Sequence, residues 1–136
     1  MDATESKTTQ HQALVIEDDS LLKGLFQRWL EHLGYGVRGC VSGAEALALL
    51  EADCEAVHLI VLDQHLSDTD GATLYPELRK LRPDARIVLC SAFEPEGILA
   101  AEYRARKIGR VKKPCYLAEF RAALAEAGAA PLPAEG

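Results

Sequence analysis

Six side chains of this 136-residue chain stand directly after short apolar runs, and together they suit one kind of chemistry. Glu17, Asp18 and Asp19 follow ALVI (Ala13 to Ile16), Asp63 follows LIVL (Leu59 to Leu62), Ser91 follows RIVLC (Arg86 to Cys90), and Lys113 follows IGRVK (Ile108 to Lys112). Carboxylates packed together repel and raise each other's pKa unless a cation neutralises them. Hard oxygen ligands with no nearby thiolate or imidazole pair favour Mg²⁺, which keeps several waters and takes one or two carboxylates. A metal with open positions, a carboxylate, a lysine and a hydroxyl are the equipment of phosphoryl transfer, where catalysis is mostly placement and charge neutralisation. Asp63, the lone acid at the end of its run, is then the expected nucleophile and becomes an aspartyl phosphate.

Such a site requires the ends of the runs to meet. A fifth run, YGVRGC (Tyr35 to Cys40), completes the set, and segments of helical periodicity lie between the runs. Leu21, Leu22, Leu25, Phe26, Trp29, Leu30 and Leu33 form one stripe from Ser20 to Leu33, with Gly34 as a stop. Ser42 and Glu45 form a capping-box pair opening SGAEALALLEA. Leu74, Leu78 and Leu81 mark a third helix after Gly71, in which Pro76 is expected to sit in the first turn. Further helices are expected over Pro95 to Arg106 and Leu117 to Ala127. Five strand-helix alternations predict an α/β domain: a doubly wound, five-stranded parallel sheet with helices on both faces. LIVL and IVLC read as central strands, and YGVRGC, broken by glycine and arginine, as an edge. In such a sheet all strands end along one side, where ligands bind at the point of strand-order reversal.

The length allows one domain. Residues 1–12 (MDATESKTTQHQ) read as a disordered leader without a signal-peptide core, residues 13–127 as the domain, and residues 128–136 as a tail or linker. No apolar run approaches a membrane span, so a cytoplasmic protein is expected. Fifteen Lys plus Arg against 21 Asp plus Glu give a net charge of -6, which argues against direct nucleic-acid binding. The segment RARKIGRVKK, Arg104 to Lys113, is the local exception, with six basic residues and no acid; it is either a solvated face or a docking surface. Cys40, Cys54, Cys90 and Cys115 lack metal-type spacing and are expected as reduced thiols. Lys112 and Lys113 beside Cys115 offer a route to a lowered pKa, but a plain reduced thiol without a redox role is the default reading.

With VIEDD, LIVLD, DG, LCSA and VKKP in this order and close to family spacing, the chain from about Ala13 to Ala127 resembles the receiver domain of two-component response regulators (CheY-like, flavodoxin-like fold). The ordered set carries the resemblance. It implies that Asp63 accepts a phosphoryl group from a histidine kinase or phosphotransfer protein. It implies Mg²⁺ held by Asp18 and Asp63, by Glu17 through a metal-bound water, and by the backbone carbonyl of His65. Ser91 and Lys113 would each meet a phosphoryl oxygen, and Asp19 is left between a site role and a helix cap. An output surface on the fourth helix, fifth strand and fifth helix would include Arg104, Arg106, Lys107, Arg110 and Lys112. The chain would work as a monomer or a phosphorylation-dependent dimer, alone or as a piece of a longer protein, on an unnamed downstream partner.

Four departures from the family pattern bear on mechanism, the last of them a pair of residues. Position 110, usually aromatic, is Arg110, expected to respond electrostatically by pairing with the phosphoryl group or an acid such as Glu94. Ser67 replaces a common proline, and Cys115 an apolar residue. His65 and Phe93 stand where water reaches the acyl phosphate, or point to solvent. A cobalamin-binding DxHxxG is excluded because position 68 is Asp, and an acidic EDDS after the first run disfavours a nucleotide loop. The remaining alternative is a receiver-like interaction module that works without phosphorylation.

Overall fold

The computed structural model describes residues 11–53 and 57–129. Five strands alternate with five helices: β1 (Gln12–Ile16), α1 (Ser20–His32), β2 (Gly36–Cys40), α2 (Gly43–Asp53), β3 (Val57–Asp63), α3 (Gly71–Leu81), β4 (Arg86–Ser91), α4 (Gly97–Arg104), β5 (Gly109–Lys112) and α5 (Leu117–Glu126). All pairings are parallel, in the order β2-β1-β3-β4-β5. The doubly wound sheet expected from the alternation is therefore present, with β3 central and the glycine-interrupted β2 at an edge. Gln12, assigned to the leader from sequence, already pairs with Gly36. Residues 1–10 of that leader, residues 130–136 of the tail and Cys54 lie outside the described residues.

Side chains alternate across each strand, so each face gets its own core. Leu14, Ile16, Ile60, Leu62 and Leu89 pack with Leu50, Leu74, Leu78 and Leu99 of α2, α3 and α4. On the opposite face Val15, Val61, Val88 and Val111 pack with Phe26, Leu30, Phe120 and Leu124 of α1 and α5. Phe26 and Phe120 stack with ring centroids 5.0 Å apart, joining the first and last helices. Gly109 opens β5 because a Cβ there would lie 2.2 Å from the Ala123 carbonyl oxygen of α5.

Helix ends follow local chemistry. Asp19 caps α1, accepting from the N–H groups of Leu21 and Leu22. Past the other end, Tyr35 N–H donates to Leu30 O and Gly34 N–H to Glu31 O, with Gly34 at φ 100. That Schellman arrangement satisfies two terminal carbonyls and favours glycine in the left-handed position. At α2, Glu45 N–H donates to Ser42 Oγ, while Glu45 Oε1 accepts from Val41 N–H.

Two expectations require correction. Pro76 is not in the first turn of α3 but at its sixth residue. Proline removes the hydrogen bond to the carbonyl four residues earlier. Ala72 and Pro76 are both exposed, so that carbonyl lies on the solvent side, while Leu74, Tyr75 and Leu78 bury the other side. The fourth helix is shorter than Pro95 to Arg106. It starts at Gly97, whose φ of 58 lies outside the right-handed range, and closes in a Schellman turn with Arg106 at φ 63. In that turn Lys107 N–H donates to Glu102 O and Arg106 N–H to Tyr103 O.

Candidate functional site

The chain leaves β1 toward β2 on one side and returns to β3 on the other, so strand order reverses beside β1 at the carboxyl edge. The backbone ladder extends past the strands and fixes the residues that follow. Glu17 N–H donates to Cys40 O at 3.0 Å, Gln64 N–H to Cys90 O at 2.9 Å, and Lys113 N–H to Ser91 O at 2.9 Å. Glu17, Asp63, Ser91 and Lys113 thus arrive from four strands at one crevice.

Carboxylate oxygens of Glu17, Asp18 and Asp63 lie within 4.8 Å of one another. Glu17 and Asp63 are buried and Asp18 is exposed, so the cluster opens to solvent on the Asp18 side. Lys113 Nζ stands 3.0 Å from Asp63 Oδ1, to which it donates, and 3.0 Å from Glu17 Oε1. Glu17 Oε2 accepts from Asp19 N–H, and Asp63 Oδ1 also accepts from His65 N–H. Burial pushes the Glu17 carboxyl up to about 7, against the ion-pair contact with Lys113 and with help from the Asp63 charge. Burial alone would depress Lys113, yet its contacts with Glu17 and Asp63 hold its pKa above the ordinary lysine value.

This donor set fits a hard divalent cation. Glu17 Oε1 is buried and accepts no directed hydrogen bond, its contact with Lys113 being an ion pair. One ammonium contacts two of the three clustered carboxyl groups, which leaves a negative surplus that a cation bound by oxygen ligands relieves.

Ser91 is buried beside this cluster, and Arg110 Nε donates to its Oγ at 3.1 Å. The same guanidinium donates from Nη1 to Glu94 Oε2 at 3.3 Å and from Nη2 to the Phe93 carbonyl at 3.0 Å. Arg110 therefore does pair with Glu94. Phe93 and His65 face solvent. The basic segment divides: Arg104, Arg106, Lys107 and Lys112 are exposed, whereas Arg110 and Lys113 turn into the site. The Lys113–Pro114 peptide is cis. At Cys115 a lowered pKa does not result, because burial raises the thiol and outweighs the lowering by Lys113.

Three supporting roles were not read from sequence. Asp68 receives the N–H groups of Gly43 and Ala44, tying the loop after Asp63 to the start of α2. Asp70 caps α3 through Thr73 N–H. Glu126 holds Arg110 N–H and Tyr103 OH from α5. Asp68 and Asp70 carried a signal in their position before a glycine-led helix, but their partners are set by tertiary contact.

Sheet order and acidic crevice together define a phosphoacceptor signalling module. The model of the response regulator receiver domain matches residues 13–125, and the chain belongs to that family, part of two-component signal transduction. Among curated relatives it is 30% identical over 113 residues to the sensor kinase CckA of Brucella abortus, covering 83% of this chain and 12% of that protein. It is 34% identical over 94 residues to the transcriptional regulatory protein GlrR of Escherichia coli, covering 68% of this chain and 20% of that one. The chain thus spans a small part of these relatives. A response regulator structure from Burkholderia pseudomallei, with a phosphorylated aspartic acid, calcium ion and citrate, aligns at TM-score 0.69 and 32% identity, covering 85% of this chain and 66% of that one. A CheY-like receiver domain from Methylobacillus flagellatus aligns at TM-score 0.74 and 27% identity, covering 88% and 99%. Among the described residues no helix is long and apolar enough to cross a membrane.

Proposed function

We propose that Asp63 accepts a phosphoryl group from a phosphohistidine of a kinase or phosphotransfer protein, and that the phosphorylated domain offers a changed surface to a downstream protein. An Asp63 oxygen forms the new P–O bond as the donor's P–N bond breaks. The observation that carries this reading is the buried Asp63 carboxylate, paired at 3.0 Å with Lys113 and clustered with Glu17 and Asp18. Magnesium, when bound, supplies the positive charge that lets two more anionic oxygens enter an acidic crevice. Asp18, Asp63 and the His65 carbonyl would ligate it, with Glu17 acting through a bound water. Lys113 stays beside Asp63 and meets one phosphoryl oxygen, and Ser91 donates its hydroxyl to another. Residues 13–127 act as the signalling unit between linker-like ends, on the cytoplasmic side where kinases work. Exposed Arg106, Lys107 and Lys112, together with Arg104, form the output face, whether the unit works alone or dimerises.

The test is intact mass after incubation with Mg²⁺ and acetyl phosphate. The parent is expected to gain one phosphate, and Asp63→Asn or EDTA-treated protein none; a gain in Asp63→Asn equal to the parent's refutes the assignment. One observation favours a second reading, a module that binds partners without phosphorylation: Ser91 and its loop are already engaged by Arg110. Under that reading Asp63→Asn binds the partner as tightly as the phosphorylated parent.

A further inference from the structure

The Arg110 side chain bonds the last residue of β4 and two points of the connection that leads from it to α4. Nε, Nη2 and Nη1 reach Ser91 Oγ, Phe93 O and Glu94 Oε2, at 3.1, 3.0 and 3.3 Å. A guanidinium is a planar fork of donors that keeps its proton at any physiological pH. Only 11% of this side chain is exposed, and its bond to the buried Ser91 hydroxyl is the one most withdrawn from water and is stronger for it. The base of the fork is fixed as well. Arg110 pairs with Leu89 in the sheet, and its N–H donates to Glu126 Oε1 at 3.2 Å.

The bond to Ser91 has a direction that matters. Arg110 Nε–H donates a hydrogen bond to Oγ, so the serine oxygen acts as acceptor and its own O–H stays available to donate elsewhere. Ser91 belongs to the crevice around Asp63, whereas Phe93 and Glu94 lie on the exposed connection. A single rigid group therefore contacts both the site and the surface loop.

The geometry points to Arg110 as a positioning residue that makes Ser91, Phe93 and Glu94 move as one unit, so that engagement of the Ser91 hydroxyl by a phosphoryl group on Asp63 is transmitted to the loop of residues 92–96. This deepens the phosphoacceptor reading and rests on it. The dianion also attracts the guanidinium, which favours the fork following Ser91 rather than releasing it. The Glu94 contact, with that carboxylate 85% exposed, is the weakest of the three and the Phe93 carbonyl the firmer hold.

The experiment uses ¹⁵N-labelled protein and two measurements. Without any phosphoryl group, backbone order parameters at Phe93, Glu94 and Glu96 are expected near ~0.85 in the parent and below ~0.6 in Arg110→Ala. With Mg²⁺ and beryllofluoride as phosphoryl mimic, ¹⁹F spectra report occupancy at Asp63 and amide shifts report the loop. The parent's shifts at Phe93 and Glu94 are expected to be lost in Arg110→Ala and in Ser91→Ala, each with mimic bound. Arg110→Lys, which keeps the charge without the fork, is expected to behave like Arg110→Ala. Undiminished loop shifts in an Arg110→Ala protein that binds the mimic, or unchanged order parameters, overturn the coupling. A parent that binds no mimic overturns the acceptor reading and the coupling built on it, and the ¹⁹F signal tells the two failures apart.

Discussion

Lys113 Nζ and Asp63 Oδ1 lie 3.0 Å apart across 50 residues of sequence, and the same ammonium lies 3.0 Å from Glu17. The lysine thus pairs with both buried acids at once. Removing it leaves a carboxylate cluster without compensation, which in fully buried pairs costs roughly 3–5 kcal/mol. Lys113 is 22% exposed and the acids can take up a proton, so Lys113→Met is expected to cost about 2 kcal/mol in metal-free urea unfolding near neutral pH. Asp63→Asn should act in the opposite direction, raising the metal-free melting temperature because one repelling charge is gone. If both variants destabilised equally, packing rather than charge would govern the cluster.

Glu17 gives the site a pH dependence with a definite sign. Its pKa is raised from 4.5 to about 7, chiefly by burial, so between those values the folded chain holds a proton that the unfolded chain has lost. Metal-free stability from this group is therefore fully present below about 4.5 and is lost as pH rises through about 7, by at most about 3 kcal/mol. A denaturant series from pH 5 to pH 8 without metal should show that decline, and saturating Mg²⁺ should remove most of it.

The same proton must leave when a cation binds. Mg²⁺ affinity is expected to fall as pH drops below about 7 and to level off above it. Titration calorimetry at pH 6 in buffers of different ionisation heat should report release of close to one proton, and close to none at pH 8.5. Equal release at both values would remove Glu17 from the metal's surroundings.

How much of this was legible in sequence depends on the range of the interaction. Strands and acceptor were readable because apolar runs such as LIVL stop abruptly on a polar side chain, and parallel topology brings every such end to one edge. Asp68 was not readable as a cap, because the N–H groups it accepts lie 24 and 25 residues earlier, on α2. The pull of Lys113 on Cys115 was readable because the two are neighbours in sequence, whereas the burial that dominates the thiol was not. Pro76 misled because the rule for helix interiors assumes the lost carbonyl is buried, and here it faces water. Arg110 was readable as a departure, but its three-way contact with Ser91, Phe93 and Glu94 required coordinates.

Arg106 closes α4 in a conformation that most helices reserve for glycine. Its φ of 63 places it in the left-handed region, where a Cβ crowds the following carbonyl at a cost of roughly 1–2 kcal/mol. The corresponding positions at the ends of α1 and α5 are Gly34 and Gly128, with φ 100 and φ 85. Arg106→Gly relieves the crowding but gives the unfolded chain more freedom, worth about 0.4–1 kcal/mol in the other direction. The net expectation is a gain between zero and about 1.6 kcal/mol in chemical denaturation. The side chain is exposed on the proposed output face, so the same variant is expected to weaken partner binding while the fold holds or improves. Stability that rises as binding falls would assign the strained arginine to recognition, and a loss of stability beyond about 1 kcal/mol would show that Arg106 makes a packing contribution larger than its strain.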